Sequence, residues 1–145
     1  TFDSSNNRVT TSYTITDKAL ADSNAVDEDG NNLLDVNGNQ VINYGLKHYA
    51  KETAKQTAHS LIKRFGWLVQ RVTMDSSQTI PSAVTTYCAN IRTDCADIIT
   101  AIDNASDMTA FKALYQDTYN SDGSVNVVAR VNRWSSDENV QTYIR

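Results

Sequence analysis

Reactive and structure-breaking residues are scarce in this chain of 145 residues: two cysteines, two histidines, one proline and five glycines. Two thiols are too few for a disulfide scaffold or a cysteine-rich zinc cluster. Cys88 and Cys95 fall seven apart in what reads as one helix. A rise of about 1.5 Å per residue puts their Cα atoms ~10 Å apart, outside disulfide reach. They read as small apolar residues of a reducing compartment. His48 and His59 are eleven apart on another expected helix, a span of ~16 Å that excludes a shared metal. No apolar run approaches the ~18 residues of a membrane helix. The opening TFDSSNNRV lacks the charged-then-apolar layout of a secretory signal. GxSxG, HExxH, CxxC and GxxxxGK[ST] are all missing. The chain reads as non-enzymatic, with no cofactor, no metal and no membrane partner.

Positive charge is also limited: 13 Lys and Arg stand against 17 Asp and Glu, for a net charge of −4. Its distribution is uneven. Residues 1–45 carry a balance of −5, residues 46–80 one of +4, and residues 81–145 one of −3. A basic middle between acidic ends favours packing within the chain or between copies, and argues against a dedicated nucleic-acid surface. With 40% hydrophobic and 21% charged residues, the composition suits one globular domain.

Residues 8–16, RVTTSYTIT, alternate Val9, Thr11, Tyr13 and Ile15 on one side and read as a strand. Residues 27–43, DEDGNNLLDVNGNQVIN, are a near-repeat built on Asp29-Gly30 and Asn37-Gly38, both strong turn dipeptides. Two tight turns joining short strands explain it. The alternative is a calcium-dependent binding module on Asp27–Asn43. Asp27, Asp29 and Asn31, and again Asp35, Asn37 and Asn39, have calcium-loop spacing, and DVNGNQVIN resembles the start of a dockerin loop. Both copies lack the sixth-position Gly (Asn32, Gln40) and the twelfth-position carboxylate (Gly38, Leu46).

Residues 46–64 are rich in helix formers and free of Gly and Pro. Leu46, Tyr49, Ala50, Ala54, Ala58, Leu61, Ile62 and Phe65 share one face. Lys47, Lys51 and Lys55 form a separate stripe, read as solvated. His48 and Glu52 are spaced to pair. GWLVQRVTM (66–74) suits a short helix or a buried strand, and the helix is favoured. From Ile80-Pro81, the residues Val84, Cys88, Ile91, Cys95, Ile98 and Ile102 step as a heptad seam, which closes within one chain or between chains. Ser106 is placed to cap a third helix, Asp107 to about Tyr119, burying Met108, Phe111, Leu114 and Tyr115. VNVVARV (125–131) suits a final strand. Trp134 and the ending Tyr143-Ile144-Arg145 leave apolar side chains near the terminus, suited to docking.

The expected fold class is α+β, mainly α: an N-terminal strand and turn arm (1–45), a small antiparallel helical bundle (46–120) and an extended C-terminal segment (121–145).

Residues 64–102 also carry a recognisable layout: a helix ending in Arg, a Trp-containing segment, a loop with Pro, then a helix of the form V-x-x-Y-x-x-x-I/L-R. Arg64, Trp67, Arg71, Pro81, Val84, Tyr87, Ile91 and Arg92 match it. This resembles the C-terminal module of tailed-bacteriophage tail-fibre assembly and tail-associated proteins. Phe65-Gly66 stands where that module usually has Thr-Asp. SYTITDKALAD (12–22), followed by a Lys/Ala-rich helix, is similar to marine-phage virion proteins. The resemblance implies a virion structural protein of the tail or fibre-attachment region, made in the host cytoplasm. Its implied partners are other phage tail or fibre proteins and further copies of itself, as a homo-oligomer. The other role in that family is an assembly chaperone that leaves before the particle matures. Trp67, Trp134, Tyr143 and Ile144 are the candidate interaction residues.

Overall fold

A computed structural model describes residues 18–144. The strand expected over 8–16 lies outside the described residues. The architecture is α+β and mainly α. Helix α1 spans Leu46–Lys63, α2 Gly66–Met74, α3 Ser82–Asn104 and α4 Met108–Ala113. Two small antiparallel pairs flank them: β1 (Ser23–Asn24) with β2 (Ile42–Asn43), and β3 (Thr118–Tyr119) with β4 (Val125–Val127). Short 3-10 turns follow at Arg130–Asn132 and Glu138–Tyr143.

Helices α1 and α3 make the body. Ala50, Ala54 and Ala58 recur every fourth residue of α1 and are all buried, and small side chains let another helix approach closely. Tyr49 belongs to the expected apolar face but is half exposed. It meets Tyr44 and His48 edge-on, with the Lys18 ammonium 4.4 Å from its ring centre. Pro81 precedes α3 with φ −56°, and its carbonyl accepts from the Val84 and Thr85 amides. Ile91, Ile98 and Ile102 have no exposed surface and Val84 almost none, so the heptad seam closes inside this chain. Cys88 and Cys95 are half-buried and free, while Tyr87 takes a fully interior place against Phe65. One core cluster gathers Phe65, Leu68, Val84, Tyr87, Ile91 and Val140, and a second gathers Ala50, Ala54, Ile98, Ile102 and Phe111. Cys95 and Trp134 pack against both and join them.

GWLVQRVTM forms a helix, with Leu68 buried. The last helix and strand differ from expectation. The helix expected from Asp107 to about Tyr119 is α4, which stops at Ala113, and its cap is Asp107, whose carboxylate accepts from the Ala110 amide at 2.8 Å. Asp117 accepts from the Ala129 amide at 2.6 Å, and Thr118-Tyr119 pair with Val125–Val127. That hairpin competes with helix for residues 116–119 and wins, because Asn120–Ser124 form a tight turn with Gly123 at φ 82°. The expected strand over 125–131 likewise ends at Val127. Beyond it, Arg130–Asn132 curl into a 3-10 turn, and the Val131 amide donates to the Leu114 carbonyl.

The lysine stripe is also less solvated than expected. The Lys47 and Lys51 ammonium groups reach the Asp103 carbonyl and carboxylate, each at 2.9 Å. They thus set positive charge against the negative end of the α3 dipole. The C-terminal run is tied to the helices by single polar contacts. The Ser135 amide donates to Asp94 at 2.7 Å, Arg64 meets Asp137 at 3.1 Å, and Arg130 meets Asp97 at 3.4 Å.

Candidate functional site

Residues 23–43 fold into a knob with an eight-residue period. The chain pairs Val26 with Asn32, Leu34 with Gln40, and Asn24 with Ile42. The Leu33 amide donates to the Ala25 carbonyl, the Val41 amide to Leu33, and the Ala25 amide to Val41, at 2.9, 2.9 and 2.8 Å. Three equivalent backbone positions thus form a closed ring of hydrogen bonds. At its centre the Gln40 side-chain nitrogen lies 2.9, 3.2 and 2.8 Å from the carbonyl oxygens of Ala25, Leu33 and Val41. Asn32, its counterpart one period earlier, is a methylene shorter.

Each turn of the knob is held by its aspartate. Asp27 accepts from the amides of Asp29 and Asn31 at 3.0 and 2.8 Å, and Asp35 from those of Asn37 and Asn39, both at 2.8 Å. These bonds stabilise the charged carboxylates and lower both from the ordinary value. The amide of Asn31 is the main cause for Asp27 and that of Asn39 for Asp35. Gly30 and Gly38, both at φ 83°, supply the left-handed residue these turns demand. The carboxylates are therefore turned into their own loops. Among the described residues, no group of three or more His, Cys, Asp or Glu side chains is placed to hold a metal.

The knob's outer surface is apolar and acidic. Val26, Leu33 and Leu34 are about half exposed, and Val36, at the tip of the second turn, is fully exposed. Asp27, Glu28, Asp29 and Asp35 lie among them without an intervening Lys or Arg. The knob joins α1 through Gly45, whose amide donates to Asp22 at 2.8 Å. A Cβ at Gly45 would overlap the carbonyl oxygens of Leu20 and Ala21.

A second feature lies at the far end of α1. Ile62, Phe65, Val69, Ile80, Val84 and Cys88 line an open groove of about 290 Å³ between α1, α2 and α3, with Lys63 and Arg92 on its rim. Burial pushes the Cys88 thiol above its ordinary pKa, as it does that of Cys95, so neither is activated as a nucleophile. His48 stacks on Tyr44 with ring centres 3.9 Å apart and faces Asp22 at 3.5 Å. The expected partner, Glu52, pairs with Lys55 at 2.6 Å instead.

The four interaction residues chosen from sequence come together. The Trp67 indole donates to the Tyr143 carbonyl at 3.0 Å, and Trp67, Trp134, Tyr143 and Ile144 pack half-buried on the first core cluster. Much of their apolar surface is covered by the chain itself. Sequence reasoning passed over the groove and the knob tip. Aligning the two turns would have exposed Val36, which takes the place of Glu28 at a solvent-facing position. Nothing in the spacing of Ile62, Ile80 and Cys88 signals that three helices leave a furrow there.

Neither a protein-family model, a curated protein nor a solved structure matches the chain.

Proposed function

We propose that this is a non-enzymatic bacteriophage virion protein of the tail or fibre-attachment region, which works by docking on other tail proteins and on copies of itself. The likeness of residues 64–102 to tail-associated modules supports the viral setting. The observation that carries the docking role is Val36. An aliphatic side chain held fully in solvent, at the tip of a hydrogen-bonded turn, gains nothing for its own fold and is available to a partner. The apolar groove with its cationic rim supplies a second contact surface.

Mass spectrometry of purified, salt-washed particles tests the assignment. Stoichiometric peptides from this chain are expected. A chain that co-purifies with a fibre protein from lysate but is missing from particles is instead an assembly chaperone, and a chain found in neither overturns the viral reading.

A further inference from the structure

We infer that the knob of one copy docks into the groove of the next, so that the chain assembles head to tail. This deepens the docking reading above by naming the partner as a second copy of the chain.

The two surfaces are complementary in shape and charge. The knob is convex and carries Val36 at its tip, with Leu34 exposed on the same turn segment. The groove is concave and apolar, and large enough to receive an aliphatic side chain. On the knob's first turn, exposed Glu28 and Asp29 have carboxylates that make no hydrogen bond or ion pair among the described residues. On the groove rim, Lys63 and Arg92 meet no carboxylate among the described residues. No acidic residue lines the groove. Docking would set an acidic knob with an exposed apolar tip against an apolar groove edged by cations, and complementary charge of this kind gives an interface its specificity.

The knob of a copy cannot reach that copy's own groove. The knob adjoins the N-terminal end of α1: its last strand ends at Asn43, two residues before the Gly45 cap, and the segment leading into it accepts the Leu46 and Lys47 amides at Ala19 and Leu20. The groove begins at its C-terminal end. Eighteen helical residues set the two about 27 Å apart. The contact therefore joins different patches on two copies. Such a heterologous interface closes into a ring or grows as a filament.

Sedimentation equilibrium on the purified 145-residue chain tests this. The wild type is expected to self-associate with rising concentration, and more weakly at 0.5 M salt. Val36→Ser, which removes the tip, and K63E/R92E, which reverses the rim, should each weaken association at least tenfold with unchanged circular dichroism. All three positions are surface positions, so the fold is not at stake. Mixing the two variants is the decisive arm. The intact knob of K63E/R92E meets the intact groove of Val36→Ser, and the mixture should form one-to-one pairs and nothing larger. A wild type that stays monomeric, association indifferent to both variants, or a mixture without pairs overturns the proposal. A groove filled by residues 1–17 of its own chain would appear as the monomeric outcome. Because no other viral protein is present, a monomeric chain that is nonetheless abundant in particles sinks this inference and leaves the proposed function standing.

Discussion

The helical body and the knob solve the same problem by opposite means. The body buries aliphatic side chains: Ile91, Ile98 and Ile102 are wholly enclosed. The knob, over residues 23–43, buries Ala25 alone and is held by a ring of backbone hydrogen bonds, two aspartate-bonded turns and the Gln40 amide. Hydrophobic burial is non-directional and grows with area. Hydrogen bonds are directional and individually modest. The body therefore tolerates substitution outside its core, whereas the knob depends on a few polar groups being in place. That leaves the knob's apolar side chains free to face outward.

Substitutions can break that contrast at chosen points. The largest effect is expected from Ile91→Ala, which empties a fully enclosed site and should cost about 2–5 kcal/mol of global stability, read by denaturant unfolding. Gly45→Ala drives a methyl into the carbonyls of Leu20 and Ala21 and should cost ~1–3 kcal/mol. Its damage should centre on the junction, so that amide exchange in residues 23–43 accelerates while α3 stays protected. Gln40→Glu replaces a donor with oxygen facing three carbonyls. About 1–3 kcal/mol of local stability should be lost, seen as faster exchange at Ala25, Leu33 and Val41 with little change in Tm. Trp67→Phe removes the donor to the Tyr143 carbonyl and should cost about 1 kcal/mol, loosening the terminus in the same exchange measurement.

Acid should act most gently and most selectively. Asp27, Asp35, Asp75 and Asp122 all sit below the ordinary value of 3.8 because they accept local hydrogen bonds. A carboxyl depressed on folding stabilises above its unfolded pKa, and that contribution is lost as pH falls through its folded value. Titration followed by NMR should show the turns at Asp27 and Asp35 loosening below pH ~4 before α1 and α3 respond. Simultaneous loss would mean that knob and body are one cooperative unit.

The helices were legible because their signals are local and periodic. The alanines of α1 and the isoleucines of α3 repeat at helical spacing, and burial followed. The two glycine turns were equally readable. The end of α4 was not, because Asp117 prefers an amide twelve residues away. Nor was the pairing of Lys47 and Lys51 with Asp103, more than fifty residues distant. Of the candidate site, Trp67, Trp134, Tyr143 and Ile144 were visible as apolar side chains, but their mutual contact was not.

What the sequence determined by itself is the set of parts: two long amphipathic helices, two short ones, and paired Asp/Asn-Gly turns. Each follows from interactions between residues a few positions apart. Tertiary structure decided that the seam closes within the chain, that three backbone positions eight residues apart form a ring around Gln40, and that an apolar groove opens where α1, α2 and α3 meet. These depend on groups far apart in sequence being held at fixed distance and angle, and only the packed chain sets that geometry.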